Sequence, residues 1–472
     1  MIEETIRWVI GLPLLAYSLY SAGFNFRGMF ILPRRLLPGE HGPSPIMMIG
    51  GLFGMIGLLT LPLPELRPWA WVPLVLDVGC LPLLVRMGLA RRQETQDALP
   101  CEADARPLAE ETSDAKRQRA IAGCLLGTAV GDAIGLPFEG LSRRRVARWL
   151  RGPLRHRFFF GRGFCSDDTE HTCLVAQALL TARQSGNPDR YLQVFAHNLA
   201  WRLRIWLLGL PAGIGLATLK SLLKQWLYPL SYADGVFSAG NAPAMRSGIL
   251  GVCHGDTPVL LRQLVRASTR LTHTDPRAEH GALAVACAAH LAAQPEPVTP
   301  DGFLDSFASL IPGEDGELLA AVGEAVASVK RGESTADFAA RSGSGRGVSG
   351  FVMHTVPVAL HVWLSHPQDY ACALETVVRC GGDTDTVGAI VGGLVGARVG
   401  PDGIPAAWRD GLWEWPRSRR WLEALATRLA DTRPETRWRG ALPLNLPGLL
   451  LRNALFMGWV LAHGFRRLLP PY

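Results

Sequence analysis

The chain has 472 residues, of which 48% are hydrophobic and 19% are charged, and its formal net charge is +7. These proportions exclude a disordered or collagen-like protein. The basic residues are dispersed arginines rather than one block, so we expect no nucleic-acid partner. The nine cysteines are widely spaced and form neither a CxxC motif nor a Cys/His zinc pattern. We therefore expect reduced thiols in a cytosolic compartment.

Three apolar stretches predict a membrane module of about three transmembrane helices over residues 1–92. They run from Ile6 to Phe26, from Ile46 to Leu63 and from Trp69 to Leu89. Each is close to the roughly 20 residues that a helix needs to cross a bilayer. Arginines follow the first and third stretches, which predicts a multi-pass protein of the cytoplasmic membrane with its N-terminus outside and the later residues in the cytoplasm. A cleaved signal peptide is the alternative for the first stretch.

The remaining chain divides into a linker, a large domain and a tail. Residues 93–118 are polar and acidic, as expected of a linker. Residues 119–440 alternate apolar stretches at helical spacing with Gly, Asp and Pro turns, which predicts an all-α domain. Residues 441–472 are apolar and basic and contain Arg452 and Asn453. This pattern predicts a helix that lies in the membrane interface or packs on the membrane module.

Two acidic clusters at predicted helix starts are the candidate functional residues. The segment GFCSDDTE contains Ser166, Asp167 and Asp168, and the segment GGDTDT contains Asp383, Asp385 and Thr386. Helix capping explains one acidic residue at such a position well and two poorly. Neighbouring carboxylates repel each other, so a bound cation is the alternative interpretation of each cluster.

The donor types indicate which cation would bind. Carboxylate and hydroxyl oxygens favour Mg²⁺ or Mn²⁺ over zinc. Glu139 is the penultimate residue of the segment GTAVGDAIGLPFEG. If both clusters converge with Glu139, the oxygens suffice for two ions. Either cluster alone is explained equally well by capping.

Four motifs, taken in order, resemble those of the ADP-ribosylglycohydrolase family. They are GCLLGTAVGDAIGLPFEG, SDDTE, GNAPAMR with a following THTDPRA, and GGDTDT. The resemblance covers about residues 117–430. It implies a compact all-α fold with a centre of two divalent cations, Mg²⁺ or Mn²⁺, that releases ADP-ribose from modified side chains or related conjugates.

The resemblance also implies a metal-binding role for individual residues. The implied metal ligands are Glu139, Asp167, Asp168, Asp383, Asp385 and Thr386, together with Ser166, where the family usually has threonine. A carboxylate then acts as the general base that activates water. Glu139 and Asp168 are the two candidates for this catalytic role.

Further residues are implied on the substrate side. Ser238, Gly240 and Asn241 match a loop that binds the diphosphate in relatives, although Ala242 replaces a common glycine there. His273 matches a substrate-side position, with a structural histidine as the alternative. Phe351 lies in the segment that lines the adenosine end in relatives, with a core aromatic as the alternative.

Three functions remain open at this point. The first is a membrane-tethered, cytoplasm-facing enzyme that removes ADP-ribose from modified proteins. The second is a module that binds ADP-ribose or a toxin, as an immunity protein would. The third is a hydrolase of a small ADP-ribose conjugate on the same scaffold.

Overall fold

The computed structural model describes residues 2–26, 49–70, 72–73, 113–227, 235–311, 316–431 and 440–467. The chain forms two compact units, Met1–Pro107 and Leu108–Tyr472. Regular structure in these described ranges is helical, and their β-pairing is limited to isolated bridges. The prediction of a mostly helical protein is confirmed.

The first unit contains a pair of packed helices. Its elements are α1 (Ile2–Phe26), α2 (Ile49–Thr60) and a 3₁₀ turn, Pro64–Trp69. The two helices approach closely, because a Cβ atom added at Gly57 would lie 3.0 Å from the carbonyl oxygen of Gly11. The first predicted apolar stretch lies within α1 and the second overlaps α2. The third lies mostly outside the described residues.

Three spanning helices are not found in the part of the chain that the structure describes. One helical segment there, Ser113–Phe138, is long and apolar enough to cross a bilayer, and 94% of its apolar window is buried in the protein. That burial is the property of a core helix in a globular domain. The 12 residues of α2 are too few, since a spanning helix needs roughly 20.

The second unit is a helical domain. Its helices, in chain order, are α3 (Ser113–Gly135), α4 (Arg143–Trp149), α5 (Asp167–Gln184), α6 (Tyr191–Leu208), α7 (Leu216–Leu227), α8 (Ala242–Met245), α9 (Gly248–His254), α10 (Pro258–Arg270), α11 (Pro276–Ala293), α12 (Pro300–Leu310), α13 (Glu317–Lys330), α14 (Thr335–Ala339), α15 (Val352–Ser365), α16 (Tyr370–Cys380), α17 (Thr384–Val399), α18 (Ala406–Gly411), α19 (Arg419–Ala430) and α20 (Leu446–Arg467). Short 3₁₀ turns connect several of them, including Leu136–Phe138 directly after α3.

Helices α3 and α17 pack with their backbones in contact at the centre of this domain. The contact is lined by glycines at every fourth position of each helix, Gly123, Gly127, Gly131 and Gly135 on α3 and Gly388, Gly392 and Gly396 on α17. A Cβ atom added at Gly127 would lie 2.1 Å from the carbonyl oxygen of Gly392. At one end of the pair the Thr384 hydroxyl donates to the carbonyl oxygen of Gly135 at 2.9 Å. The residues just after α3 and at the start of α17 are therefore held together, and this end carries the candidate site.

The tail helix α20 belongs to the helical domain over its described side chains. Arg452 and Asn453 are both buried. The Asn453 amide donates to the carbonyl oxygen of Gly209 at 2.7 Å, and Arg452 pairs with Glu414 at 2.7 Å. The sequence pattern of this segment predicts instead a helix in the membrane interface or on the membrane module. Polar partners inside the domain account for the buried charge within this otherwise apolar segment.

Candidate active site

A cleft of about 560 Å³ lies where the end of α3 meets the start of α17. Its lining includes nine of the residues expected from the sequence, Glu139, Asp167, Ser238, Gly240, Asn241, His273, Asp383, Asp385 and Thr386. Ser166 and Asp168 are buried beside this lining, and Phe351 lines an adjoining depression of about 420 Å³. The structure thus brings both acidic clusters and the predicted substrate loop to one place.

The first acidic cluster forms the start of α5. Ser166 caps this helix, because its hydroxyl accepts from the backbone N–H of Asp168 at 3.2 Å. The same hydroxyl donates to Oδ2 of Asp168 at 2.9 Å. Oδ1 of Asp168 is buried and has no hydrogen-bond partner. Capping therefore accounts for Ser166 and leaves a carboxylate oxygen of Asp168 without a donor.

Asp132 supports this cluster from α3, a role that the sequence alone does not reveal. Its carboxylate accepts from the backbone N–H of Ser166 at 2.9 Å and from the Thr169 hydroxyl at 2.5 Å. Burial raises the pKa of Asp132 to about 7, and these hydrogen bonds oppose the rise. A single aspartate inside an apolar, glycine-rich helix was the available indication of a buried polar role.

The second acidic cluster follows a tight glycine turn. Gly381 and Gly382 have φ angles of 67° and 84°, which glycine adopts readily and other residues rarely do. A Cβ atom at Gly382 would lie 1.9 Å from the carbonyl oxygen of Val348, so only glycine fits there. This turn directs Asp383 toward the substrate loop, where its Oδ2 accepts from the Asn241 amide at 2.6 Å.

The two clusters touch each other. The Thr386 hydroxyl donates to Oδ2 of Asp168 at 3.2 Å, although the two residues are 218 positions apart in the chain. The convergence that a shared cation site would require is therefore present in the fold.

The site concentrates negative charge. Burial, reinforced by neighbouring carboxylates, raises the pKa of Asp167, Asp168 and Asp385 well above the ordinary value. For Asp167 the principal neighbour is Asp132, and for Asp385 it is Glu139. Oδ1 of Asp385 is a second buried carboxylate oxygen without a hydrogen-bond partner. The arrangement favours either bound protons or a bound cation.

A buried arginine lies behind the site on the loop after α8. The Arg246 guanidinium donates to the Ser268 carbonyl oxygen and the Thr272 hydroxyl, each at 2.8 Å, and contacts Nδ1 of His171 at 3.1 Å. Burial lowers the pKa of Arg246 to about 9, and the charge of Asp167 opposes this shift. The sequence gives no indication of this role, because one arginine in a motif does not reveal its partners.

The donor chemistry of the cleft fits a hard divalent cation. Its donors are carboxylate and hydroxyl oxygens, and two of the buried carboxylate oxygens lack partners. Within the described ranges, no group of three or more His, Cys, Asp or Glu side chains is already arranged as a metal site. The binding of two divalent cations therefore remains a prediction.

The predicted diphosphate loop forms one wall of the cleft. A Cβ atom at Gly240 would lie 2.7 Å from Nε2 of His273, so a larger residue there would displace the imidazole. Burial, together with the charge of Arg246, lowers the pKa of His273 to about 3, which keeps the imidazole neutral. Ala242 begins the short helix α8 without a positive φ, so its backbone tolerates the replacement of glycine.

Phe351 lies at the outer edge of the site rather than in the core. Its side chain is 36% exposed. The Arg277 guanidinium lies 5.6 Å from the centre of its ring, and Phe237 lines the same depression. This position is open enough for a flat ring to stack on Phe351.

Comparison with known proteins assigns the chain to a family. The ADP-ribosylglycohydrolase family model matches residues 112–439. The chain therefore belongs to the ADP-ribosylglycohydrolase family, whose members are hydrolases acting on glycosyl bonds. The match begins after the first unit and ends before α20.

Two named relatives align with the same part of the chain. The ADP-ribosyl-[dinitrogen reductase] glycohydrolase of Rhodospirillum rubrum is 26% identical over 301 residues, which is 61% of this chain and 89% of that protein. The ADP-ribosylhydrolase ARH3 of Gallus gallus is 26% identical over 338 residues, covering 61% and 87% respectively. A solved ADP-ribosylglycohydrolase-related protein complex has a TM-score of 0.47 and 26% identity, and covers 67% of this chain and 98% of its own.

Proposed function

We propose that this chain is a metal-dependent hydrolase that cleaves the glycosidic bond between ADP-ribose and a modified protein side chain. Membership of the family supports the removal of ADP-ribose in general. The observation that carries the proposal is the convergence of two acidic clusters, joined by the bond from Thr386 to Asp168, on one cleft. Its substrate would be an ADP-ribosylated protein, with a small ADP-ribose conjugate as the alternative.

The proposed cation site uses the residues of both clusters. We assign as ligands Glu139, Ser166, Asp167, Asp168, Asp383, Asp385 and Thr386. Bound Mg²⁺ or Mn²⁺ would supply the positive charge that these carboxylates lack and would hold the ribose hydroxyls. The two unpartnered oxygens, on Asp168 and Asp385, support this assignment because buried acceptors are normally satisfied.

Glu139 is the better candidate for the general base. It is exposed and lines the cleft, where an attacking water can approach. Asp168 is buried, and its Oδ2 already accepts from the hydroxyls of Ser166 and Thr386. In the proposed step, water attacks the anomeric carbon and Glu139 takes one of its protons, while the bond from that carbon to the side chain breaks and its electron pair leaves with the side chain. A modified arginine, which is positively charged, leaves as neutral guanidine, whereas a serine oxygen takes up the proton held by Glu139 or one from solvent and leaves as the hydroxyl.

The remaining cleft residues orient the substrate. Asn241 holds Asp383 through its amide and donates to Thr355 at 3.0 Å, which fixes the carboxylate before substrate arrives. Ser238, Gly240 and the neutral His273 would face the diphosphate. The ring of Phe351 would stack on the adenine.

We also propose that the first unit attaches the enzyme to the cytoplasmic membrane, with the helical domain in the cytoplasm. The exposed apolar side chains Val9 and Leu19 on α1 and Ile56 and Leu59 on α2 support this proposal. Extraction of membranes with alkaline carbonate tests it. An integral protein stays in the pellet, whereas recovery of the full chain in the soluble fraction without detergent would contradict the membrane proposal.

Release of ADP-ribose by the full chain tests the proposed reaction. The substrates are proteins carrying ADP-ribose on arginine or on serine, with a free ADP-ribose conjugate as a third. We expect release with Mg²⁺ or Mn²⁺ by the wild type and by Asp402→Asn, which changes a carboxylate that is 91% exposed. Release should be lost with EDTA and in Glu139→Gln. Release from the free conjugate alone would favour the alternative substrate.

A further inference from the structure

Helix α20 places a buried positive charge, the guanidinium of Arg452, next to the residue that precedes the first acidic cluster. The family match ends at residue 439, and Arg452 lies 13 positions beyond it. Its side chain is 2% exposed. Its guanidinium also lies over the rings of Phe164 and Phe456, at 5.5 and 4.6 Å from their centres. Such burial requires compensating charge and hydrogen bonds.

Arg452 and its partner Glu414 both form hydrogen bonds with the backbone of one residue, Cys165. The Arg452 guanidinium donates to the carbonyl oxygen of Cys165 at 2.5 Å and to Oε2 of Glu414 at 2.7 Å. The same Oε2 accepts from the backbone N–H of Cys165 at 3.1 Å. The ion pair therefore holds both backbone polar groups of the residue that directly precedes Ser166.

The pair is part of a balanced set of four buried charges. Glu170, on the first turn of α5, accepts from Arg417 at 2.5 Å, and Arg452 lies 3.9 Å from the same oxygen. The two arginines hold the pKa of Glu170 below its usual value, against the effect of burial. Arg452 is thus tied to residues before and after the first acidic cluster.

We propose that Arg452 is a positioning residue, and that through Cys165 and Glu414 it fixes the backbone that presents Ser166 and Asp168 to the cleft. A displacement at Cys165 is passed directly to Ser166, because the two share a peptide bond of fixed geometry. Ser166 in turn caps α5 and bonds to Asp168. Helix α20 then helps to position the first acidic cluster of the catalytic domain. The effect on cations and substrate rests on the proposed function, whereas the effect on the backbone does not.

The experiment compares four full-length proteins, the wild type, Arg452→Met, Arg452→Lys and the control Leu451→Ala. Leu451 is the preceding residue on α20, and it is exposed. Arg452→Lys keeps a buried positive charge, so it keeps the test valid if Arg452→Met does not fold. The first readout is amide hydrogen exchange of the metal-free chain over residues 163–170, with α17 as an internal reference. The second is the dissociation constant for Mn²⁺, measured by electron paramagnetic resonance.

We expect exchange over residues 163–170 to accelerate at least about tenfold in Arg452→Met, because the backbone of Cys165 loses a hydrogen bond to a charged group, while exchange in α17 stays unchanged. Arg452→Lys should accelerate less, because its ammonium cannot reproduce the paired donors of guanidinium. The Mn²⁺ dissociation constant should rise about 10-fold to 100-fold in Arg452→Met, as is typical when the support of a ligand is lost. Leu451→Ala should match the wild type in both readouts.

Two results would overturn the proposal. One is unchanged exchange over residues 163–170 in both Arg452 variants. The other is equal acceleration in α17, which would show that Arg452 stabilises the domain as a whole. If exchange changes locally as expected but the wild type releases no ADP-ribose, the positioning role stands and the proposed reaction fails, so the two failures are distinguishable.

Discussion

The contact between α3 and α17 makes a quantitative prediction for Gly127→Ala. The new Cβ atom would lie 2.1 Å from the carbonyl oxygen of Gly392 and 3.1 Å from the Cα atom of Gly396, whereas ordinary contacts begin at 3.4 Å. The backbones would have to separate by about 1.3 Å, the difference between 2.1 and 3.4 Å. Overpacking of this kind costs about 1–3 kcal/mol. We expect the upper part of that range, since the atoms that must move belong to a backbone rather than a flexible side chain.

Urea denaturation of the helical domain measures this loss, and the chain offers a matched control. Gly323 lies within α13, and a Cβ atom added there meets nothing within 4 Å. Gly323→Ala should therefore stabilise the domain by about 0.5–1 kcal/mol, because alanine loses less entropy in a helix than glycine does. Opposite signs for the two substitutions support the packing argument. A Gly127→Ala protein as stable as the wild type would refute it.

Substitutions at three further positions test the site and the stability of the domain. Asn241→Ala should weaken Mn²⁺ binding about 10-fold to 100-fold in a titration, because Asp383 loses the amide that orients it. Ser166→Ala should lower the free energy of unfolding by about 1 kcal/mol in thermal denaturation through loss of the helix cap, whereas Ser166→Thr should retain it. Burial lowers the pKa of His361 from 6.5 to about 4. The unfolded chain binds more protons between these values, so stability should fall as the pH drops from 6.5 toward 4, and less steeply in His361→Gln.

The helical nature of the domain was predictable, whereas the pairing of its helices was not. Helical spacing and turn residues are local properties that one segment displays by itself. The contact of Gly127 with Gly392 joins positions 265 apart in the sequence, and nothing local indicates it. Apolar composition was also ambiguous, because the buried core helix α3 has the length and hydropathy of a membrane span.

The acidic residues of the site were predictable because their pattern is costly without a compensating function. Adjacent Asp167 and Asp168 repel each other, and a second such cluster with a glycine turn made convergence plausible. The supporting residues gave no comparable indication. Asp132 is a single acidic residue in an apolar helix. Arg452 lies in a segment, residues 441–472, whose pattern is that of an amphipathic interfacial helix. Its partner Glu414 lies 38 positions away, so only the fold reveals the pair.

The most direct test of the account is the recovery of ADP-ribose release after removal of divalent cations. The full chain is treated with EDTA, dialysed, and assayed on ADP-ribosylated protein before and after Mn²⁺ is added back, beside Asp383→Asn treated in the same way. We predict no release before the addition, full release after it in the wild type, and none in the variant. Equal release with and without Mn²⁺, or full release by Asp383→Asn, would contradict a cation-dependent hydrolase built on the two acidic clusters.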